Sequence, residues 1–193
     1  MSDHHEDGVL AARTRQVESL LEARGLLDAA ELDRALEAFL TRASPANGAR
    51  VAARAWVDDA FRERLLADGN AALEELGLSM GGGIQPQRLK VVANTETEHN
   101  VIVCTLCSCY PIALLGPSPT WYKSEAYRSR VVRDPRSVLA DFGTVLQEDV
   151  HITVWDASAE TRYMVLPRCP ADLPEAELAS LVTRNGLIGT ALL

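Results

Sequence analysis

Three of the four cysteines in this 193-residue chain fall within six residues, in Val101-Ile102-Val103-Cys104-Thr105-Leu106-Cys107-Ser108-Cys109-Tyr110. A β-branched run leads directly into them, so the cluster starts where a strand stops. The C-x-x-C-x-C spacing allows one metal site of an unusual kind. If Ser108 and Cys109 give up their amide protons, four donors can share a plane: the Cys107 sulfur, the two main-chain nitrogens and the Cys109 sulfur. Cys104, one short turn earlier, can then add an axial thiolate and leave a sixth position open. Soft thiolates favour a transition metal over magnesium or calcium. An open position suits catalysis, whereas structural sites close theirs. With a trivalent ion, three thiolates and two amide anions leave a net charge of about −2, at a centre that is still a Lewis acid.

The same spacing leaves a second chemistry open. Cys169, in Pro167-Arg168-Cys169-Pro170, could complete a tetrahedral structural zinc site, or the thiols could sense redox state. The plainer reading of Cys169 is a packed or surface thiol. Four cysteines in such a chain do not make a disulfide framework.

Composition excludes several function classes. With 19 basic and 27 acidic residues the formal charge is −8, and no Lys/Arg tract occurs, which argues against nucleic acid or an anionic membrane as a partner. No apolar run approaches the ~20 residues of a membrane span. The acidic start, Met1-Ser2-Asp3-His4-His5-Glu6-Asp7, lacks the apolar core of a signal peptide, so the expected location is cytoplasmic.

Along the chain, residues 1–8 are polar and expected to be disordered, with His4-His5 as tail. Leu10, Val17, Leu20 and Leu21 recur at helical spacing before Gly25. Asp28 with Glu31 resembles a capping box opening a second helix, whose stripe is Leu32, Ala35, Leu36, Phe39 and Leu40. Ser44-Pro45-Ala46-Asn47-Gly48 reads as a break, with a third helix from about Ala49 to Trp56. Asp58 caps a fourth, and a short fifth, Ala71–Leu76, ends at Gly77. The order of elements suggests that the first two helices pack against something outside the main core.

Ser79-Met80-Gly81-Gly82-Gly83 is the expected boundary, dividing a helical region, 1–80, from an α+β domain, 81–193. Leu89–Val92 and Asn100–Val103 read as strands, and Thr120–Arg130 as a helix. His151–Trp155 and Arg162–Leu166 read as a hairpin turning at Asp156-Ala157-Ser158-Ala159. A last helix opens at Pro174. The fold class is α+β: a helical N-terminal arm followed by an α/β-layered globular domain that carries the cysteines.

Cys104-Thr105-Leu106-Cys107-Ser108-Cys109-Tyr110-Pro111 resembles the metal claw of the nitrile hydratase α subunit. The likeness extends through Asn47–Val51, Ala55–Asp58, Trp121–Ser124, Tyr127–Arg133 and Arg162–Pro167. It implies a lyase that adds water to a nitrile at one low-spin Co3+ ion per chain. Thr105, where iron-type members carry Ser, is the cobalt signature, which makes iron the less expected metal. By the same resemblance the metal ligands are Cys104, Cys107, Ser108 and Cys109, with Cys107 matching a cysteine sulfinic acid and Cys109 a sulfenic acid. Cys107, Ser108, Cys109 and Gln85 match the catalytic positions. Gln85 stands nineteen residues before Cys104, although a lone loop glutamine is also an ordinary exposed amide.

The implied partners are a β-type subunit that donates two arginines to the claw, a cobalt-delivery activator protein and a small-molecule nitrile. A thiocyanate hydrolase subunit, which shares the claw, is the neighbouring alternative. Arg128, Arg130 and Arg133 fit the family pattern. Salt bridges within the fold or across the interface are the favoured reading for them over direct claw contact. Tyr110 either positions the claw or partner or is a packed aromatic, and His99 is expected to be structural. Two departures stand out: Ile112-Ala113 where the family has Trp-Pro, and Ala93 where relatives carry Glu. Loss of an aromatic wall at Ile112 points to a bulky heteroaromatic or nucleoside-like nitrile.

Overall fold

The computed structural model describes residues 3–80, 87–107 and 109–193. The chain separates into two compact units, Met1–Arg42 and Ala43–Leu193.

The first unit holds helices α1 (Asp3–Ala23) and α2 (Ala29–Arg42). The polar start is therefore helical from Asp3, where disorder was expected. Gly25, at φ +66°, takes the left-handed turn between the helices. The Asp28 carboxylate accepts from the Glu31 amide at 2.9 Å and caps α2. No residue of α2 is buried, and Leu10, Val17, Leu20, Leu36 and Leu40 are all exposed.

The second unit begins with α3 (Pro45–Val57). Ser44 accepts from the Ala46 amide, and Pro45 occupies the first turn, where its missing N–H costs nothing. The Ser-Pro pair read as a break is thus a helix start. Asp58 and Asp68 cap α4 (Asp59–Ala67) and α5 (Gly69–Glu75), and Gly77 at φ +67° follows as the left-handed residue. Val51, Ala52 and Ala55 of α3 share one core with Phe61, Leu65, Val101, Ile102, Met164 and Val165. Residues 43–80 accordingly belong with the strands. Of the expected boundary, Ser79-Met80-Gly81-Gly82-Gly83, Met80 is buried in this core, and the three glycines lie outside the described residues.

Strands β1 (Arg88–Ala93) and β2 (Glu98–Val103) come next, joined by a tight turn at Thr95. Short helices follow: α6 (Ile112–Leu115), α7 (Thr120–Lys123), α8 (Glu125–Val131) and α9 (Pro135–Asp141). The expected helix over 120–130 is split because Ser124 is extended and caps α8 through the Tyr127 amide at 3.2 Å. Strands β3 (His151–Asp156) and β4 (Thr161–Leu166) precede α10 (Glu175–Leu181) and α11 (Arg184–Leu187).

The expected β3–β4 hairpin does not form. Instead β1 pairs with β4 and β2 with β3, both in parallel, in the registers Arg88↔Thr161 to Ala93↔Leu166 and Glu98↔His151 to Val103↔Asp156. Five of the six β2 residues are buried, and so are four of the six in β4. Such near-continuous burial favours central parallel pairing over a half-solvated hairpin. The main chain at Ile188-Gly189 lies against β2, with the Ile102 amide donating to Ile188 O at 3.0 Å. A Cβ on Gly189 would strike the Asn100 carbonyl. His99, buried beside it, bonds Gly189 O at 2.7 Å and the Asn94 amide at 3.3 Å, and burial pushes its pKa below the ordinary range. The α+β class and the globular domain carrying the cysteine claw are as expected.

Candidate metal centre

The cysteines follow the C-terminal end of β2, next to the end of β3. Register places Val103 opposite Asp156, so the Asp156 carboxylate meets the first residues of the claw. One oxygen accepts from the Thr105 amide at 2.9 Å and the other from the Thr105 hydroxyl at 2.5 Å. This fastens the entry to the loop at two points. Sequence reading took Asp156 for a turn residue; only the register of two strands far apart in sequence reveals its contact.

The Cys104, Cys107 and Cys109 sulfurs lie within 4.8 Å of one another. Cys104 and Cys107 sulfurs are 3.3 Å apart and those of Cys107 and Cys109 are 3.2 Å apart. Cys104 and Cys109 are free thiols. Two sulfurs at about 2.3 Å from one ion stand about 3.3 Å apart at a right angle, and about 3.8 Å apart at the tetrahedral angle. The observed separations fit the right angle. Cys169 stays out of the group, exposed, with its thiol donating to Ala171 O at 3.2 Å. A fourth sulfur for tetrahedral zinc is therefore not supplied by Cys169.

Burial differs along the trio. Cys104 is 1% exposed, Cys109 is half-buried and Cys107 is open. Burial, the hydrogen bond to Cys107 and the nearby Cys104 push the Cys109 thiol up to about 12, with the Arg162 charge opposing them. Without a cation, crowding keeps a proton on Cys109. The Cys107 amide donates to the Cys104 sulfur at 3.3 Å, so the loop already turns back on its first cysteine.

The loop's carbonyls are held from the other side. Arg128, on α8, donates through Nη1 to the Thr105 and Cys107 carbonyls, each at 3.4 Å. The Tyr122 hydroxyl donates to Cys109 O at 3.0 Å, and that of Tyr127 to Ile102 O at 2.6 Å. The Tyr127 ring packs edge-on against Trp121, which in turn packs on Phe142, fixing both hydroxyls. Tyr110 packs edge-on against Tyr122, its own hydroxyl buried and without a partner among the described residues. Burial raises the pKa of all three tyrosines, which keeps Tyr122 and Tyr127 protonated as donors.

The three arginines separate. Arg130 forms the expected kind of salt bridge, with Asp141 at 2.8 Å, and Arg133 lies beyond the end of α8. Arg128 instead touches the claw backbone, against the favoured reading, because one turn of α8 turns it back toward the loop. Arg162 is buried and donates to the Ser158 and Ala159 carbonyls just beyond Asp156. Ile112 is half-buried at the start of α6, and the Ala113 carbonyl accepts from Asn47 at 2.9 Å. Ser108 and Gln85 lie outside the described residues.

Residues 9–191 match the family described as nitrile hydratase, alpha chain. The chain belongs to the nitrile hydratase α-chain family. It is 47% identical to the low-molecular weight cobalt-containing nitrile hydratase subunit alpha of Rhodococcus rhodochrous, over 95% of this chain and 88% of that one. Among solved structures it resembles a double mutant of the Fe-type nitrile hydratase of Comamonas testosteroni Ni1, with TM-score 0.88 and 40% identity over 96% of this chain and 91% of that one. A thiocyanate hydrolase subunit gamma from Thiobacillus thioparus is 39% identical over 91% of this chain and 76% of its own. The two nitrile hydratases are thus its nearer kin in sequence among these three, and no described helix is long and apolar enough to cross a membrane.

Proposed function

We propose that this chain is the metal-bearing α subunit of a cobalt-type nitrile hydratase, converting a nitrile and water into the amide. The observation that carries this reading is the pair of sulfur–sulfur separations, 3.3 and 3.2 Å, suited to ligands at right angles on one ion. Cys104, Cys107 and Cys109 would hold Co3+ through sulfur, with the main-chain nitrogens of Ser108 and Cys109 completing the set. When bound, the ion supplies Lewis-acid polarisation of the nitrile. The cobalt-containing relative and Thr105 favour cobalt over iron.

The chain's own residues do the rest. Cys107 is open and Cys109 half-buried, against burial of Cys104, which suits oxidation of the first two by dioxygen, four electrons passing from Cys107 to give sulfinate and two from Cys109 to give sulfenate, and sparing of the third. A sulfenate oxygen on Cys109 then presents a nucleophile, or orients water, beside the nitrile carbon. Asp156 and Arg128 hold the loop in register while Tyr122 fixes the Cys109 carbonyl. Gln85 is a further candidate for orienting the nucleophile. A β-type subunit covers the exposed side, where Leu106 is 91% exposed, and completes the pocket. A cobalt-delivery activator loads the site. Ile112-Ala113 in place of Trp-Pro suits a bulky heteroaromatic nitrile.

The test is to purify the chain with its β-type partner and assay nitriles and thiocyanate together. Nitrile hydration, with one added oxygen on Cys109 and two on Cys107, is expected; thiocyanate hydrolysis alone would transfer the assignment to the sister activity. A marked preference for a small aliphatic nitrile over a heteroaromatic one would overturn the substrate class. Comparable turnover by the isolated chain would overturn the need for a partner.

A further inference from the structure

Two arginines on the same short helix meet different fates. Arg130 pairs with Asp141, exposed, at 2.8 Å. Arg128 lies partly buried, with its Nε enclosed and without a partner among the described residues. Its Nη1 faces only main-chain oxygens, those of Thr105 and Cys107. No carboxylate among the described residues stands within ion-pair distance of it. A guanidinium taken out of water without a counter-charge is costly, and carbonyl dipoles compensate it only in part.

Once loaded with metal, the claw would supply the missing charge. With its donors deprotonated around a trivalent ion it retains a net charge of about −2. One carbonyl that Arg128 grips belongs to the peptide joining Cys107 to Ser108. Negative charge on that peptide's nitrogen is shared with its oxygen by amide resonance. Arg128 therefore sits where part of the claw's charge is delivered.

Resting on the metal reading above, we propose that Arg128 is a positioning residue: the chain's own counter-cation for the loaded claw, which tethers two of its carbonyls and slows loss of the metal. Its role differs from that of a partner's arginines on the sulfur oxygens, because it acts through the backbone and is present before assembly. Lysine retains the charge but not the planar fork, and glutamine retains a donor but not the charge.

The experiment compares wild type, Arg128→Lys and Arg128→Gln, each as the complex with the β-type partner. Cobalt per chain is measured after expression, and its rate of loss is followed in EDTA with dithionite. Arg128→Gln should lose cobalt about tenfold faster or more, and Arg128→Lys should stay within about threefold of wild type. The visible thiolate-to-cobalt absorption should shift in Arg128→Gln and stay in place in Arg128→Lys. Equal retention by all three overturns the inference, as does a lysine variant as leaky as the glutamine one. So does failure of the metal-free Arg128→Gln complex to assemble where metal-free wild type does, since the residue would then serve folding. A wild-type complex without cobalt overturns the functional reading itself, and this inference with it.

Discussion

The two parallel strand pairs each finish near a cysteine, yet only one end is built as a site. Past β2 and β3, a carboxylate, a guanidinium and a phenol converge on one six-residue loop, and three sulfurs touch. Past β1 and β4, Cys169 is exposed, and the neighbouring Arg168 pairs with Glu96 at 3.1 Å on the surface. The cleft there, about 360 Å³, is lined by Trp56, Arg62 and Pro167 as well, and within it the Trp56 indole donates to Pro167 O and Arg168 pairs with Glu96. A thiol becomes part of a site when neighbouring groups hold its backbone and crowd its sulfur. Strand ends alone do not achieve that.

The largest effect should come from the claw itself. Cys104→Ala or Cys109→Ala should lower cobalt content and nitrile turnover by about 100-fold or more, whereas Cys169→Ala should leave both within about twofold. Equal sensitivity of Cys169 would break the contrast. Next comes Asp156→Asn, which preserves size but removes the charge that receives Thr105. Cobalt affinity should fall by about 10–100-fold, read by competition with a chelator. An unchanged affinity would mean that the loop does not depend on β3.

Smaller again is Tyr122→Phe. The Cys109 carbonyl loses its donor at the edge of the core, which should cost about 1–2 kcal/mol and lower the melting temperature by about 2–8 °C. Cobalt should still bind. The smallest effect belongs to the other strand pair. Arg168→Ala removes an exposed ion pair and should move the melting temperature by less than about 2 °C.

Much of this could be read from the residues. The cysteine spacing, the β-branched run before it and the caps at Asp28 and Asp58 each act locally, and local chemistry is written in adjacent positions. Strand pairing is not local. His151–Asp156 and Thr161–Leu166 are separated by a turn-like tetrapeptide, and nothing in that stretch records that their partners lie 53 and 73 residues upstream. The same limit concealed Asp156, whose role depends on register with Val103. Arg128 was one of three arginines in a helical run, and separating them required the direction of a single turn of helix. The leucines of α1 and α2 were legible as an apolar stripe, but a stripe at helical spacing does not say what it packs against, and most of these leucines are exposed.

The central claim is that three sulfurs and two main-chain nitrogens of one loop hold a single ion with a position left open. X-ray absorption at the metal edge of the matured, partner-bound protein tests this directly. The account predicts cobalt with a mixed sulfur and nitrogen shell, three sulfurs among its neighbours and oxygen on Cys107 and Cys109. Zinc in a four-sulfur tetrahedron with unoxidised thiols would contradict it.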